Sequence, residues 1–353
     1  MKKHVRIGDR WVGEGQPVFM IAEAGVNHNG QLDLALKLID AAAEAGADAV
    51  KFQTFHAEDV VIGDAEMADY QKKNLGRTTS QRALLEALEL PEAWYPQLVE
   101  RCQEKKILFL STPHGGEKSA DFLRSIDLVA YKIGSGDLTN LPFLRYIADF
   151  HAPLIISTGM ATLEEVREAV ACIERAGNDQ IILLHCTTNY PCPPEETNLR
   201  MLRALDESFS YPVGYSDNSP HPLYPRIAVS LGACVIEKHF TLDQTLPGPD
   251  HKASCEPRAF RSIVEEIRQI SIMLGEREKQ PTESELGMRA AVRKSIVTIK
   301  AIRKGELLTR ENIGIKRPGT GMQPSNYERI LGKRAAADLI ADALLHEHDL
   351  ADE

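Results

Sequence analysis

Short apolar runs alternate with amphipathic segments of helical period through the first 275 residues of the chain. The runs are rich in β-branched residues and have no polar face, which is typical of parallel strands covered by helices. The predicted strands are Val18–Ala22, Ala49–Phe52, Ile107–Leu110, Leu128–Ile133, Leu154–Ile156, Ile181–Leu184, Pro212–Tyr215 and Cys234–Ile236. The predicted helices include Leu32–Glu44, Leu90–Lys105, Leu163–Ala176 and Pro222–Leu231.

Eight such strands, each followed by helical sequence, favour an α/β fold of the (β/α)8 TIM-barrel type. An open, doubly wound sheet is the alternative. Thr162 stands before a predicted helix with Glu165 at the capping-box position, which supports the helix start. Residues 57–80 are polar and longer than a normal loop, so we expect a lid or a substrate-contacting insertion there.

The chain of 353 residues is longer than a barrel of about 250 residues requires. Residues 276–290 are polar and contain a proline, as linkers often do. Short strand-and-turn segments follow, and the final YERILGKRAAADLIADALL has a helical appearance. We therefore expect a barrel domain at 1–278, a linker at 279–291 and a small domain at 292–353. The charge supports this division, since residues 279–353 carry 13 basic and 11 acidic side chains while the whole chain has a net charge of −10.

The composition excludes several classes of protein. An acidic chain is a poor match for nucleic acid, whose phosphates call for a basic face. The six cysteines show no CxxC spacing, which indicates reduced thiols. The N-terminus lacks the apolar segment of a signal peptide, and no apolar run approaches the ~20 residues that span a bilayer. We expect a cytoplasmic protein without a membrane partner.

Polar side chains follow every predicted strand, at the end where barrel enzymes place their chemistry. In chain order they are Glu23, Asn27 and His28; Lys51 and Gln53; Ser111, Thr112 and His114; Lys132, Ser135 and Asp137; Ser157 and Thr158; His185, Thr187, Thr188, Asn189 and Tyr190; Ser216, Asp217, Asn218 and His221; and Glu237, Lys238 and His239. Any one of these has an ordinary structural explanation, such as a turn or a salt bridge. Eight coincident sets predict an active site.

The residue types indicate what this site binds. Two lysines and several hydroxyls are the donors that a phosphate monoester requires, and they are Lys51, Lys132, Thr112, Ser135, Ser157 and Ser216. Glu237 and His239 alternate along one strand and therefore face the same way, which leaves Lys238 on the other side. Such a pair suits a metal ligand with a carboxylate partner or an acid/base pair, whereas the histidine alone would more often be a core residue.

Nine motifs carry a resemblance to a known family. In order, they are AEAGVNHNG, VKFQ, STPH, YKIGSGD, STGMAT, LHCTTNYP, GYSD, EKHFTLD and GPDHKAS. This series resembles the sialic acid synthase family, which includes N-acetylneuraminate, legionaminate and pseudaminate synthases. IKRPGTG, near residue 316, resembles the C-terminal antifreeze-like (SAF, β-clip) domain of that family. The resemblance covers nearly the whole chain.

The resemblance implies a C–C bond-forming transferase of nonulosonic acid biosynthesis. Phosphoenolpyruvate would condense with the open-chain aldehyde of an N-acetylmannosamine-type sugar, or of a 6-deoxy diacetamido relative. The products would be a nine-carbon 2-keto sugar acid and phosphate, the latter released by C–O cleavage. A divalent metal, Mn²⁺ or Mg²⁺, would activate the aldehyde.

The resemblance also implies individual roles. The phosphoenolpyruvate contacts would be Lys51, Thr112, Lys132, Ser135, Ser157, Thr188 and Ser216, and the catalytic carboxylates Glu23, Glu237 and Asp137. Tyr190, Asp250 and Arg317 would contact the sugar, and His239 and Asn218 would hold the metal. Arg317 would reach the site of the partner subunit, which implies a domain-swapped homodimer.

Three positions depart from the family pattern. Asn218 stands where the family usually has a histidine ligand, and His221 lies near enough in sequence to be an alternative. Asp137 replaces a longer glutamate, and Thr188 replaces a common asparagine. Two rival functions stay open, a Schiff-base aldolase that uses Lys51 or Lys132 and a catalytically lapsed barrel that binds a sugar or a partner. The acceptor sugar is also left open.

Overall fold

The computed structural model describes residues 3–63, 65–75, 79–275 and 278–351. The chain divides into two compact units, Met1–Gly275 and Glu276–Glu353. The first unit begins with an antiparallel hairpin of β1 (Val5–Ile7) and β2 (Arg10–Val12), which the hydrophobic pattern did not indicate. Apolar side chains of this hairpin pack against Phe19 and Ile21, near the beginning of the next strand. The hairpin therefore covers the end of the barrel at which the strands start.

Eight parallel strands then close into a barrel. They are β3 (Phe19–Gly25), β4 (Ala49–Thr54), β5 (Leu108–Pro113), β6 (Tyr131–Ile133), β7 (Leu154–Ser157), β8 (Ile181–Cys186), β9 (Val213–Asp217) and β10 (Val235–His239). Each strand pairs with the next in sequence, and β10 pairs with β3 to complete the ring. The predicted TIM barrel is confirmed.

Most barrel strands continue past their predicted ends. For example, β4 continues to Thr54 and β10 to His239, where the hydrophobic pattern stopped at Phe52 and Ile236. The backbone hydrogen bonds of a strand do not depend on the polarity of its side chains. The polar residues at these ends are therefore rigid parts of the barrel rather than of loops.

The helices of the first unit surround the barrel. They are α1 (Leu32–Glu44), α2 (Ala57–Val60), α3 (Asp69–Leu75), α4 (Gln81–Glu86), α5 (Tyr95–Lys105), α6 (Glu117–Ser125), α7 (Leu141–Ala148), α8 (Leu163–Arg175), α9 (Met201–Ser208), α10 (Leu223–Ser230) and α11 (Pro257–Leu274). The capping box of Thr162 and Glu165 forms as predicted. The helix expected from Leu90 begins only at Tyr95, because Pro96 fits best in the first turn of a helix.

The polar stretch 57–80 contains structure that its sequence did not reveal, apart from residues 64 and 76–78, which lie outside the described residues. It holds α2 and α3 and leads into α4. Met67 packs with Val26 and Phe55 in a small apolar cluster separate from the main core. The apolar residues here are too sparse to give a helical period, and their packing partners lie elsewhere in the chain.

The second unit contains α12 (Glu283–Val292), β11 (Ser295–Thr298), β12 (Ile313–Lys316) and α13 (Tyr327–Ile330). The predicted linker 279–291 thus contains most of a helix, which starts with a capping box of Thr282 and Glu285. The helical appearance of the final stretch was misleading beyond Ile330. Leu339 and Leu344 form isolated β-bridges with Ile302 and Val297, and Leu345 lies in the core of this unit.

Two further expectations concern the whole chain. All six cysteines are free, as the absence of paired spacings indicated. Within the described ranges, no helix combines the length and apolar character needed to cross a membrane.

Candidate active site

A cavity of about 240 Å³ opens where the barrel strands end. Most of the predicted site residues line it, namely Glu23, Lys51, Thr112, Lys132, Ser135, Ser157, Thr188, Tyr190, Ser216, Asn218, Glu237, His239 and Asp250. They are far apart in sequence and meet because the closed barrel brings the ends of all strands to one mouth.

Lys51 lies at the centre of the charged groups on the cavity floor. Its Nζ is 2.6 Å from Oε2 of Glu23 and 3.7 Å from Oε2 of Glu237, and it donates a hydrogen bond of 3.0 Å to Oγ1 of Thr112. Burial alone would lower the pKa of Lys51, but the two carboxylates outweigh it and raise this pKa. Lys51 therefore stays a cation.

Lys132 is the second buried cation of the cavity. Its Nζ donates to Oγ of Ser157 over 2.7 Å and lies 3.7 Å from Oε1 of Glu237. Burial lowers the pKa of Lys132, and the charge of Lys51 acts in the same direction. A bound anion would relieve both effects, since it would supply the negative charge that this ammonium lacks.

The two carboxylates differ in their surroundings. Burial raises the pKa of Glu23, and Lys51 offsets this only in part. Burial would also raise the pKa of Glu237, but Lys132 and Lys51 together with a 2.8 Å hydrogen bond from Ser216 lower it instead. Glu23 is thus the better proton carrier and Glu237 the better permanent anion.

His239 and Asp250 present unsatisfied polar atoms beside these carboxylates. Nδ1 of His239 and Oδ1 of Asp250 are buried without a hydrogen-bond partner in the described part of the chain. Burial lowers the pKa of His239, which keeps its imidazole neutral, as a metal ligand must be. The ring of Tyr190 packs edge-on against His239 at 5.5 Å.

Two hydrogen bonds hold the side-chain amide of Asn218 at the wall of the cavity. Its Nδ2 donates to the carbonyl oxygen of Thr187 over 2.8 Å and to Sγ of Cys186 over 3.4 Å. Both amide hydrogens are used in this way, so the carbonyl oxygen Oδ1 is the group left for a ligand. No three His, Cys, Asp or Glu side chains form a metal site in the described ranges, so a metal here would need this amide oxygen as well as His239.

Three residues that the sequence analysis considered for catalysis, metal binding or sugar binding lie elsewhere. Asp137 is absent from the described lining of the cavity, although its Oδ2 is 3.9 Å from Nδ1 of His114, which does line it. His221 is exposed and stacks on Tyr224, so the structure does not bring it to the cavity as an alternative ligand. Arg317 belongs to the second unit, where it is exposed.

Comparisons with known proteins identify the family of this chain. The model of the NeuB family matches residues 38–279, and that of the SAF domain matches residues 293–351. The chain belongs to the NeuB family. The resemblance seen in the motifs is therefore confirmed, as is the prediction that the chain is an enzyme of the sialic acid synthase type.

Individual NeuB relatives match this chain over nearly their full length. The N,N'-diacetyllegionaminic acid synthase of Legionella pneumophila is 46% identical over 95% of this chain and 96% of its own. A pseudaminic acid synthase of Campylobacter jejuni is 38% identical over 94% and 96%. The crystal structure of an N-acetylneuraminic acid synthetase from Leptospira borgpetersenii matches with a TM-score of 0.73, at 35% identity over 82% of this chain and 95% of that one.

The cavity of this NeuB protein also contains residues to which the sequence assigned no role. Gln53 donates from Nε2 to Oε1 of Glu23 over 3.2 Å, and Cys186 supports Asn218. Val26, Leu84 and Leu88 form an apolar side of the cavity. The position of Gln53 near a strand end was a usable signal, whereas nothing in the sequence of 57–88 placed its leucines at the barrel mouth.

Proposed function

We propose that the protein condenses phosphoenolpyruvate with the open-chain aldehyde of an N-acetylated amino sugar, giving a nine-carbon 2-keto acid and inorganic phosphate. The observation that carries this proposal is the meeting of two buried lysines, two buried carboxylates and several hydroxyls in one cavity. The names of the relatives support a nonulosonic acid as the product.

Phosphoenolpyruvate would lie against the lysines. Lys51 and Lys132 offer charge-assisted hydrogen bonds, and Ser135, Ser157 and Ser216 offer hydroxyls within the same cavity. The substrate anion would replace part of the contact that Lys51 makes with Glu23. Such substitution keeps the cations paired with negative charge throughout the reaction.

Of the two carboxylates, Glu23 suits the proton transfers of the reaction. C3 of phosphoenolpyruvate would attack the aldehyde carbon, and the aldehyde oxygen would take a proton from Glu23, whose pKa is raised by burial. Water would then add to C2 and give a proton to Glu23, which is a carboxylate after the first transfer, while Glu237 stays an anion. The tetrahedral intermediate would break the bond between C2 and the phosphate oxygen, and its C2 hydroxyl would give its proton to the departing phosphate, which leaves the 2-keto group.

The metal and the second subunit complete the proposal. Asn218 and His239 would hold Mn²⁺ or Mg²⁺, which polarises a carbonyl when bound. Nδ1 of His239, which has no hydrogen-bond partner among the described residues, and Asn218, whose amide nitrogen is held by the carbonyl oxygen of Thr187, support this assignment. Arg317 would reach the sugar from a partner subunit in a domain-swapped homodimer, with Tyr190 and Asp250 as the other sugar contacts. The cytoplasmic location stays a prediction from the sequence.

A phosphate-release assay tests the reaction. Purified protein, phosphoenolpyruvate labelled with ¹⁸O at the bridging oxygen, Mn²⁺ and a panel of N-acetylmannosamine-type and 6-deoxy diacetamido sugars should yield phosphate that keeps the label. Without a sugar, no phosphate should appear. The proposal fails if no sugar in the panel supports release with either metal.

A Schiff-base aldolase is the second candidate, because burial lowers the pKa of Lys132 and so favours its nucleophilic amine. Borohydride would then trap a substrate on this lysine. Activity that depends fully on added metal and leaves no trapped adduct would exclude it. Sugar-dependent phosphate release in the same assay would exclude a catalytically lapsed barrel.

A further inference from the structure

One side of the cavity is apolar. Val26, Leu84, Leu85 and Leu88 line it, and we name this surface the leucine wall. Leu84 lies on α4 and Leu88 just after it, and both belong to the same small apolar cluster. Val26 lies just past the end of β3. The mechanism proposed above gives these residues no task.

The leucine wall belongs to the opposite side of the barrel mouth from the hydroxyls of Ser157 and Thr188. In the closed strand order, β3 lies four places from β7, and β4 lies four places from β8. Val26 follows β3, and α4 belongs to the segment after β4, whereas Ser157 ends β7 and Thr188 follows β8. A phosphate bound at the hydroxyls would therefore leave the leucine wall for the other substrate.

Packing and hydrogen bonds hold the leucine wall in place. Leu84 and Leu88 pack with Phe55 and Met67, and Oγ of Ser80 caps α4 by accepting a 3.1 Å hydrogen bond from the backbone of Ala83. Gly30 supports the end of this segment, because a Cβ there would lie 2.7 Å from the carbonyl oxygen of Ala87. Only a residue without a side chain permits that approach.

The preceding helix is also attached to the barrel. Nδ2 of Asn74 donates to the carbonyl oxygen of Pro249 over 2.7 Å, and Nζ of Lys252 donates to that of Asn74 over 3.1 Å. These bonds join the insertion to the loop that carries Asp250, a predicted sugar contact. The leucine wall and Asp250 therefore line the same cavity.

We infer that the leucine wall determines acceptor specificity by receiving a methyl group of the sugar. This inference rests on the proposed function and names a class of acceptor within it. A hydroxyl placed against leucine side chains would lose its hydrogen bonds to water without replacement, whereas a methyl group would bury apolar surface. This methyl group could be the C6 methyl of a 6-deoxy sugar or the methyl of an acetamido group.

Two matched sugar pairs distinguish these sources. N-acetylmannosamine is compared with its 6-deoxy counterpart, and with its N-formyl counterpart, which lacks the acetamido methyl. Binding of each sugar is titrated calorimetrically without phosphoenolpyruvate, and KM is then measured in the phosphate-release assay. Leu85→Gln is the test variant, because Leu85 is only partly buried and lines the cavity.

Wild-type protein should prefer the methyl-bearing member of at least one pair, and Leu85→Gln should reduce that preference about tenfold while leaving KM for phosphoenolpyruvate unchanged. Leu75→Gln is the matched control, since Leu75 packs on the same cluster and is absent from the described lining of the cavity. It should keep the wild-type ratio.

Unchanged ratios in both pairs for Leu85→Gln would overturn the inference, even with normal phosphate release. Sugar binding with the expected ratios but no release would instead refute only the proposed reaction.

Discussion

Lys238 and Asp217 form an ion pair of 2.5 Å between Nζ and Oδ2, and both side chains are 0% exposed. They stand opposite each other on β10 and β9. Nζ of Lys238 also donates to the carbonyl oxygen of Ser219 over 2.6 Å. The pair therefore fixes the chain on both sides of Asn218, the residue predicted to bind the metal.

Lys238→Met should lower the free energy of unfolding by about 3–5 kcal/mol, because it leaves the carboxylate of Asp217 buried without its partner. Urea unfolding followed by circular dichroism measures this. Lys3→Met is the control: Lys3 pairs with Asp179 at the surface of the same unit, and its loss should cost less than about 1 kcal/mol. Equal effects of the two variants would contradict the prediction.

Lys132→Ala should reduce kcat/KM for phosphoenolpyruvate by about 100-fold or more, because a buried donor to the substrate anion is lost. Steady-state phosphate release gives the value. Lys118→Ala removes an exposed lysine, with 72% of its side chain accessible, and should leave the rate unchanged. Near-normal turnover by folded Lys132→Ala would remove this lysine from the proposed phosphate site.

Asn218→His should raise the affinity for Mn²⁺, because an imidazole nitrogen binds transition metals more strongly than an amide oxygen. The free Mn²⁺ signal in electron paramagnetic resonance reports binding without requiring activity. His239→Ala should lose the site and serves as the reference. An affinity that does not change in Asn218→His would argue that position 218 is not a ligand.

Co-expression of Arg317→Ala with Lys132→Ala tests the swapped dimer. In a heterodimer with swapped domains, one site would combine the intact barrel of the first variant with the intact arginine of the second. A statistical mixture should therefore recover about a quarter of wild-type activity, although each variant alone is inactive. Recovery should be absent if Arg317 serves the barrel of its own chain.

Stability should fall between pH 6.5 and pH 4 because of His28. Burial lowers the pKa of His28 to about 4, so the unfolded chain takes up a proton in this range and the folded chain does not. The free energy of unfolding should drop by about 2 kcal/mol from pH 7 to pH 5 through this residue. His28→Asn should remove that part of the drop, and His151→Asn, at an exposed position, should not. Equal pH dependence in both variants would count against the assignment.

The chain order of hydrophobic runs was sufficient to predict the barrel, because each strand and helix is determined by a local period. It failed where structure depends on distant partners. The hairpin at residues 5–12 is stabilised by packing against Phe19 and Ile21, and Leu345 lies in a core that the apparent helical pattern around it conceals.

Local patterns along the chain were enough to predict the eight strands, the polar groups at their ends and the family that the motifs resemble. It took the folded structure to show that Lys51 contacts both Glu23 and Glu237, that His221 stays outside the cavity and that leucines on and just after α4 line it. The reason is physical: periodicity is a property of neighbours along the chain, whereas ion pairs and cavity walls join residues that only the closure of the barrel brings together.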